Sequence, residues 1–297
     1  MPINALVIGA GPVGRATAAH LASLGHEVAV MTRSGTPVGD LRALTGDAGR
    51  EEDLRRALRE FPATHIINCM HAPYTERHWR EALLPAEGVI LREAAQRGLH
   101  VTFPESVYAF GSAEREVSGA SVPVARRGKP GVRAELLRRR DRSGATTCSV
   151  VASDYYGPGS GPGAVAHVLV LDRIAAGRRP LALFSRNTPH AYTYLPDFAR
   201  ALAEAAVHGA TGIAVTPTAQ PVSQVDFARE AADVLGVPFR SPLVLDGAAL
   251  RVAGLFDRNV GGVAEMKWLW TTPQSLRGTF AWEPTALEEG LRRAVGG

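Results

Sequence analysis

Ala5-Leu6-Val7-Ile8-Gly9-Ala10-Gly11-Pro12-Val13-Gly14 is the stretch that decides the fold. Four apolar residues read as a buried strand and run straight into a G-x-G-x-x-G spacing. Ala16, Ala19, Ala22 and Leu24 follow at helical intervals, and Gly25 ends that helix. A strand before the glycines and a helix after them is the context in which this spacing holds a dinucleotide. Gly9 permits the tight turn, Gly11 lets the backbone approach a pyrophosphate, and Gly14 lets the helix pack close on the strand. Pro12 and Val13 open the helix, where free N–H groups face the anion. A glycine turn without a ligand is the competing reading.

The same alternation continues outward. Val28–Met31 reads as a strand, and Glu51–Phe61 as a helix with Leu54, Ala57, Leu58 and Phe61 on one face. His65–Cys69 is a strand, Ala82–Gly98 a helix and His100–Phe103 a strand. This predicts an α/β protein of the Rossmann type, a doubly wound parallel sheet. Past about residue 155 the pattern loosens. Gly157–Gly163, GPGSGPG, is a loop. Helices are expected over 164–176, 196–208 and 223–235, with short strands near Leu181 and Ile213. Thr285 is a candidate N-cap for a last helix over 286–295, with Glu288 completing the box. The expected organisation is a dinucleotide-binding domain over 1–155, to which 181–215 returns. A smaller, discontinuous C-terminal substrate-binding lobe covers 156–297.

Bulk composition narrows the function. The chain has 297 residues, 45% of them hydrophobic and 21% charged, with net charge +4. These are globular values. Nearly all the positive charge is arginine, and the lysines are Lys129 and Lys267. The run Arg138, Arg139, Arg140 and Arg142 is expected to be a solvated helix end. No aromatic residues interleave with it, so no nucleic-acid partner is expected. No apolar run approaches about eighteen residues, which argues against a membrane partner. The N-terminus enters a strand without a leader, so a cytoplasmic location is expected. Cys69 and Cys148 lie in apolar runs and are expected to be buried, reduced thiols. Isolated cysteines and the lack of a histidine pair at ligand spacing give no metal site.

The end of the second strand reports on the cofactor. An NAD site places an acid there to bond the ribose hydroxyls. Here the chain reads Met31-Thr32-Arg33-Ser34. Arg33 suits a 2′-phosphate, with hydroxyls from Thr32 and Ser34 beside it. NADP(H) is therefore expected over NAD(H), the alternative being a solvated Arg33. Asp47, after Gly46, is either an adenine contact or an ordinary turn aspartate.

Further landmarks fall in order: Ser106-Val107-Tyr108-Ala109-Phe110-Gly111, Ser153-Asp154-Tyr155-Tyr156-Gly157-Pro158-Gly159, His190-Ala191-Tyr192-Thr193-Tyr194-Leu195-Pro196-Asp197, and Thr279 to Gly290, TFAWEPTALEEG. With the glycine loop, these make the chain resemble an extended short-chain dehydrogenase/reductase of the NAD-dependent epimerase/dehydratase superfamily. The resemblance implies a Ser or Thr three residues before Val107, where Pro104 stands. It implies a tyrosine twenty-two residues after Val107 and a lysine four further on; Lys129 and Arg133 stand there. The family's Tyr-x-x-x-Lys pair is thus Lys-x-x-x-Arg, a departure that resembles the atypical branch of the superfamily. Arg133 keeps a charge for the cofactor ribose but does not deprotonate.

Candidate acid/base residues are therefore Lys129, Tyr108 and His71. Lys129 is either a desolvated amine of lowered pKa or a surface residue at a helix start. Tyr108 lies past the C-terminal end of a strand, as a proton donor or a packed aromatic. His71 lies in Asn68-Cys69-Met70-His71-Ala72-Pro73, beside the expected cofactor or as a loop hydrogen-bonder. Asp154 is expected near the cofactor, and Tyr155, Tyr156, His190 and Tyr192 at the substrate. The leading expectation is an NADP-dependent oxidoreductase acting on a small carbonyl or hydroxyl compound. The alternatives are a sugar-nucleotide epimerase, isomerase or lyase with recycled cofactor, and a catalytically silent NADP-binding protein. The small-molecule substrate is the expected partner, with a homodimer or a monomer both open.

Overall fold

The computed structural model describes residues 2–296, apart from 114, 162 and 255–262. Strands β1 (Asn4–Ile8), β2 (Glu27–Thr32), β3 (Arg42–Thr45), β4 (His65–Asn68), β5 (His100–Ser106), β6 (Thr146–Ala152) and β7 (Gly212–Val215) share one sheet. Their order is β7-β6-β5-β4-β1-β2-β3, and every neighbouring pair is parallel. The order reverses between β1 and β4, so a crevice opens at their C-terminal ends.

Strand alternation decides which helices lie on which face. Ala5 and Val7 of β1 pack with Ala18 and Leu21 of α1 (Pro12–Ser23) and Ala203 and Ala206 of α5 (Leu195–Val207). Leu6 and Ile8 point the other way. They pack with Leu54 and Leu58 of α2 (Glu51–Glu60) and Ile90 and Ala94 of α3 (Leu84–Arg97). Helix α4 (Gly128–Asp141) lies beside α3. Small side chains on α1 and α5 let these two helices approach closely beneath the glycine loop.

Beyond Ala152, short strand pairs replace the sheet. Asp154–Tyr156 runs parallel to Tyr192–Tyr194, and Pro189–His190 runs antiparallel to Val222–Ser223. Within 181–215, Gly212–Val215 enters the sheet, whereas Leu181–Leu183 pairs with Leu243–Leu245. Helices α6 (Gln224–Val234) and α7 (Leu287–Val295) close the C-terminal lobe around Tyr156, Phe227 and Leu291. Thr285 does not cap α7. Its N–H and hydroxyl both donate to Asp197, at 2.7 and 3.0 Å, and tie the last segment to α5.

The arginine run is also corrected. Arg140 is buried, at 2% exposure, over the Phe103 ring at 4.0 Å. Its guanidinium donates to both oxygens of Glu87 (2.9 and 2.7 Å), to Glu105 (2.8 Å) and to Ser149 (3.0 Å). Helix α4 therefore turns one arginine inward, where it pins α3, β5 and β6 together. Removing one partner of such a group strands the others without a counter-charge. Arg140→Met is expected to lose about 3–5 kcal/mol of stability, read by urea unfolding.

At the opposite end of the sheet, burial lowers the His65 pKa to about 4, helped by the charges of His100 and His26. The folded protein thus holds this ring neutral where an unfolded chain, near 6.5, already takes a proton. Stability from this site is complete above about pH 6.5 and is lost as pH falls toward 4. The melting temperature is expected to fall over that window, and less steeply in His65→Gln.

Candidate active site

The glycine loop is built by close backbone approach. Gly9 has φ +99°, and a Cβ there would lie 2.9 Å from the Cys69 carbonyl oxygen. A Cβ on Gly14 would lie 2.1 Å from the Gly9 carbonyl oxygen. A Cβ on Gly11 would meet no atom within 4 Å, so the backbone there is open to a ligand. No side chain caps α1, and Pro12 opens its first turn. The N–H groups of Val13 and Gly14 precede the first possible intrahelical bond and face the crevice. These features fit a pyrophosphate.

At the end of β2, Arg33 and Ser34 are exposed, and Arg33 makes no ion pair among the described residues. The Thr32 hydroxyl accepts the Thr36 N–H at 2.8 Å, and the Ser34 hydroxyl bonds that of Thr36 at 2.6 Å. Both shape the turn that presents Arg33. The Asp47 carboxylate accepts the Gly49 N–H at 2.9 Å and so shapes the turn after β3.

Behind this loop, side chains from distant segments converge on one cleft. Lys129, at 0% exposure, is not a surface residue. Its ammonium donates to Glu265 at 2.9 Å and lies 4.2 Å from the centre of the Tyr74 ring. The other Glu265 oxygen accepts the Lys129 backbone N–H at 2.9 Å. Gly128, at φ +63°, makes room for that carboxylate. Burial lowers the Lys129 pKa, while Glu265 opposes the shift. The Tyr74 hydroxyl donates to the Tyr108 hydroxyl at 2.8 Å. Desolvation first, with nearby Asp154 adding to it, raises both phenols, so both are neutral near pH 7.

Arg133 stacks its guanidinium over Trp79 at 4.6 Å, with Nε 3.6 Å from Glu105. Glu105 is the residue that Arg140 also holds, so the buried network reaches the cleft. His71 lies 5.5 Å from Trp79, ring to ring. His71 is exposed at the surface, and desolvation by the surrounding protein, then the Arg133 charge, lowers its pKa. Asp154 accepts the Nε2 proton of His190 at 2.8 Å. His190 stacks on Trp270 at 4.2 Å.

Lys129, Tyr108, His71, Arg133, Asp154 and His190 thus share one region. Tyr155 is half-buried beside Asp154. Tyr156 and Tyr192 are corrected. Tyr156 is fully buried against Tyr194 and Phe227, and Tyr192 stacks on Phe227 at 4.2 Å. Their rings build the floor of the lobe and have no face for a substrate. Sequence reasoning missed Tyr74, Trp79, Glu105, Glu265 and Trp270. Tyr74 and Trp79 follow His71 within a few residues, and their aromatic character was a readable signal. Glu265 was not readable, because 136 residues separate it from Lys129.

Residues 5–215 match the sequence profile of the NAD dependent epimerase/dehydratase family. The chain therefore belongs to that family, whose members are enzymes that use a nicotinamide dinucleotide. No curated protein matches the sequence. Among solved structures, the fold resembles the Bordetella bronchiseptica enzyme WbmH in complex with NAD+, at TM-score 0.78 and 12% identity, covering 100% of this chain and 98% of that one. It also resembles UDP-glucose 4-epimerase from Thermotoga maritima with UDP-glucose, at TM-score 0.76 and 18% identity, over 99% and 98% of the two chains. dTDP-glucose 4,6-dehydratase from Bacillus anthracis in complex with NAD aligns at TM-score 0.78 and 13% identity, over 99% and 96%. Among the described residues, no helix is long and apolar enough to cross a membrane, and no group of His, Cys, Asp and Glu is arranged to hold a metal.

Proposed function

We propose that this protein is an NADP-dependent oxidoreductase that reduces a small carbonyl compound, or oxidises the matching alcohol. The observation that carries the reading is the Tyr74–Tyr108 phenol pair at the mouth of the sheet. A bound nicotinamide supplies or accepts the hydride. The two hydroxyls share one hydrogen bond at 2.8 Å, which leaves one phenolic proton for a substrate oxygen. As negative charge develops on that oxygen, Tyr108 donates its proton and recovers one from Tyr74. The Lys129 ammonium, 4.2 Å from the Tyr74 ring, stabilises the phenolate left behind. Lys129 then acts by its charge, its ammonium held on Glu265 at 2.9 Å. Arg33, with the Thr32 and Ser34 turn, receives the 2′-phosphate. Gly9, Gly11, Pro12, Val13 and Gly14 would hold the pyrophosphate, and Arg133 would serve the nicotinamide ribose. His71 remains a neutral wall residue.

A second reading has its own support. The whole-chain likeness to an epimerase solved with UDP-glucose suggests sugar-nucleotide chemistry with the cofactor recycled in place. The loss of the family tyrosine at position 129 weighs against it.

Calorimetric titration separates these readings. NADPH is expected to bind at least about tenfold more tightly than NADH, with Arg33→Ala removing most of the difference. NADH binding as tight as NADPH would contradict the Arg33 assignment. With a panel of small aldehydes and ketones, net NADPH oxidation is expected. Tyr108→Phe is expected to lower kcat by about a hundredfold or more while leaving the NADPH Kd unchanged. Turnover of a sugar nucleotide without net NADPH loss would favour the second reading.

A further inference from the structure

The substrate side of the cleft carries an unusual charge arrangement. Its cations each stand beside a carboxylate. Lys129 is paired with Glu265 at 2.9 Å, and Arg133 lies 3.6 Å from Glu105. Asp154 is different, because its partner is an imidazole. Oδ2 accepts from His190 Nε2 at 2.8 Å, and Oδ1 takes no donor among the described residues. The Asp154 side chain is 12% exposed, against 1% for His190, so the carboxylate and not the imidazole is reached by solvent.

His190 is itself fixed on both faces. It stacks on Trp270 with 27° between the rings and stands edge-on to Tyr192 at 5.0 Å. Its Nδ1 is buried without a hydrogen-bond partner. Leaving a polar atom unpaired in this way is costly. The fold accepts that cost while holding Nε2 on Asp154. The Asp154 charge also opposes ionisation of the Tyr74 and Tyr108 phenols.

A carboxylate held this way accepts hydrogen bonds and repels anions. We propose that Asp154 is the specificity-determining residue of the site, and that it selects a small unphosphorylated hydroxy-carbonyl compound by accepting a hydrogen bond from a substrate hydroxyl. His190 is its positioning residue. The assignment rests on the carbonyl-reductase reading above and narrows it to a substrate class. It also separates this protein's chemistry from the UDP-glucose seen with the Thermotoga maritima epimerase. A diphosphate brought against Asp154 would meet its negative charge.

The test uses the full-length protein with D-glyceraldehyde, D-glyceraldehyde 3-phosphate and UDP-glucose as probes. Wild type is expected to oxidise NADPH with glyceraldehyde, to discriminate against its phosphate, and to bind no UDP-glucose at millimolar concentration by calorimetry. Asp154→Asn is expected to raise KM for glyceraldehyde by about tenfold to a hundredfold. It is expected to narrow the discrimination against the phosphate by about tenfold and to leave the NADPH Kd unchanged. His190→Gln, whose amide still donates to Asp154, is expected to retain more of kcat/KM than His190→Ala. Unchanged discrimination in Asp154→Asn would overturn the proposal while leaving the oxidoreductase reading intact. A large loss of NADPH affinity in that variant would instead make Asp154 a cofactor contact and overturn it too. UDP-glucose binding by the wild type would overturn it directly. A wild type that binds NADPH but reduces neither aldehyde would remove the functional reading, and this assignment with it.

Discussion

A Cβ on Gly14 would lie 2.1 Å from the Gly9 carbonyl oxygen, so helix α1 and strand β1 meet backbone to backbone. Any side chain at either position pushes the helix away from the sheet. The first turn of α1 would then no longer face the crevice between β1 and β4. Ala18, Ala203 and Ala206 continue the same theme, because their small side chains let α1 and α5 lie low on the sheet. The crevice is therefore a product of missing side chains, and the ligand-binding N–H groups are a consequence of that packing.

A second constraint is charge pairing out of water. Arg140, Glu87, Glu105 and Arg133 form a line from the buried interface of α3 and α4 to the cleft. Lys129 and Glu265 form another line, from the start of α4 to the C-terminal segment. In low dielectric these groups are stable only together. Of the residues at the family's acid/base positions, Lys129 is held in an ion pair and Arg133 stands 3.6 Å from Glu105. Under the proposed function, proton chemistry falls to the neutral phenols of Tyr74 and Tyr108, while Asp154 keeps an open oxygen. In that proposal, the substitution of Lys129 and Arg133 for the family pair and the use of the phenols are two aspects of one rearrangement.

The sheet was legible because its signals are local. An apolar run, a glycine spacing and helical periodicity lie within about twenty residues of one another, and each β–α unit repeats them. Candidate residues at strand ends were legible for the same reason, and Tyr108, Asp154 and His71 all fall there. Long-range pairing was not legible. Nothing in Arg138-Arg139-Arg140 marks the third arginine as buried, since the fact depends on Glu87 and Glu105 being brought to it. Lys129 was ambiguous because Glu265 decides it. Thr285 carried a cap-like spacing, yet Asp197 of α5 claims its hydroxyl, and a tertiary bond overrides the local motif. Tyr156 and Tyr192 were misread because an aromatic residue near a loop looks the same in sequence whether it faces a ligand or Phe227.

The central claim is that the Gly9–Gly14 loop holds the pyrophosphate of a dinucleotide whose 2′-phosphate rests on Arg33. Phosphorus NMR of NADP+ titrated with the protein tests it most directly, because each phosphate has its own resonance. The account predicts that wild type shifts and broadens the pyrophosphate and 2′-phosphate signals together. Arg33→Ala should still perturb the pyrophosphate while the 2′-phosphate returns toward its free position. A wild-type spectrum in which neither signal moves would contradict the dinucleotide site. A perturbed pyrophosphate with an unperturbed 2′-phosphate would contradict the role of Arg33.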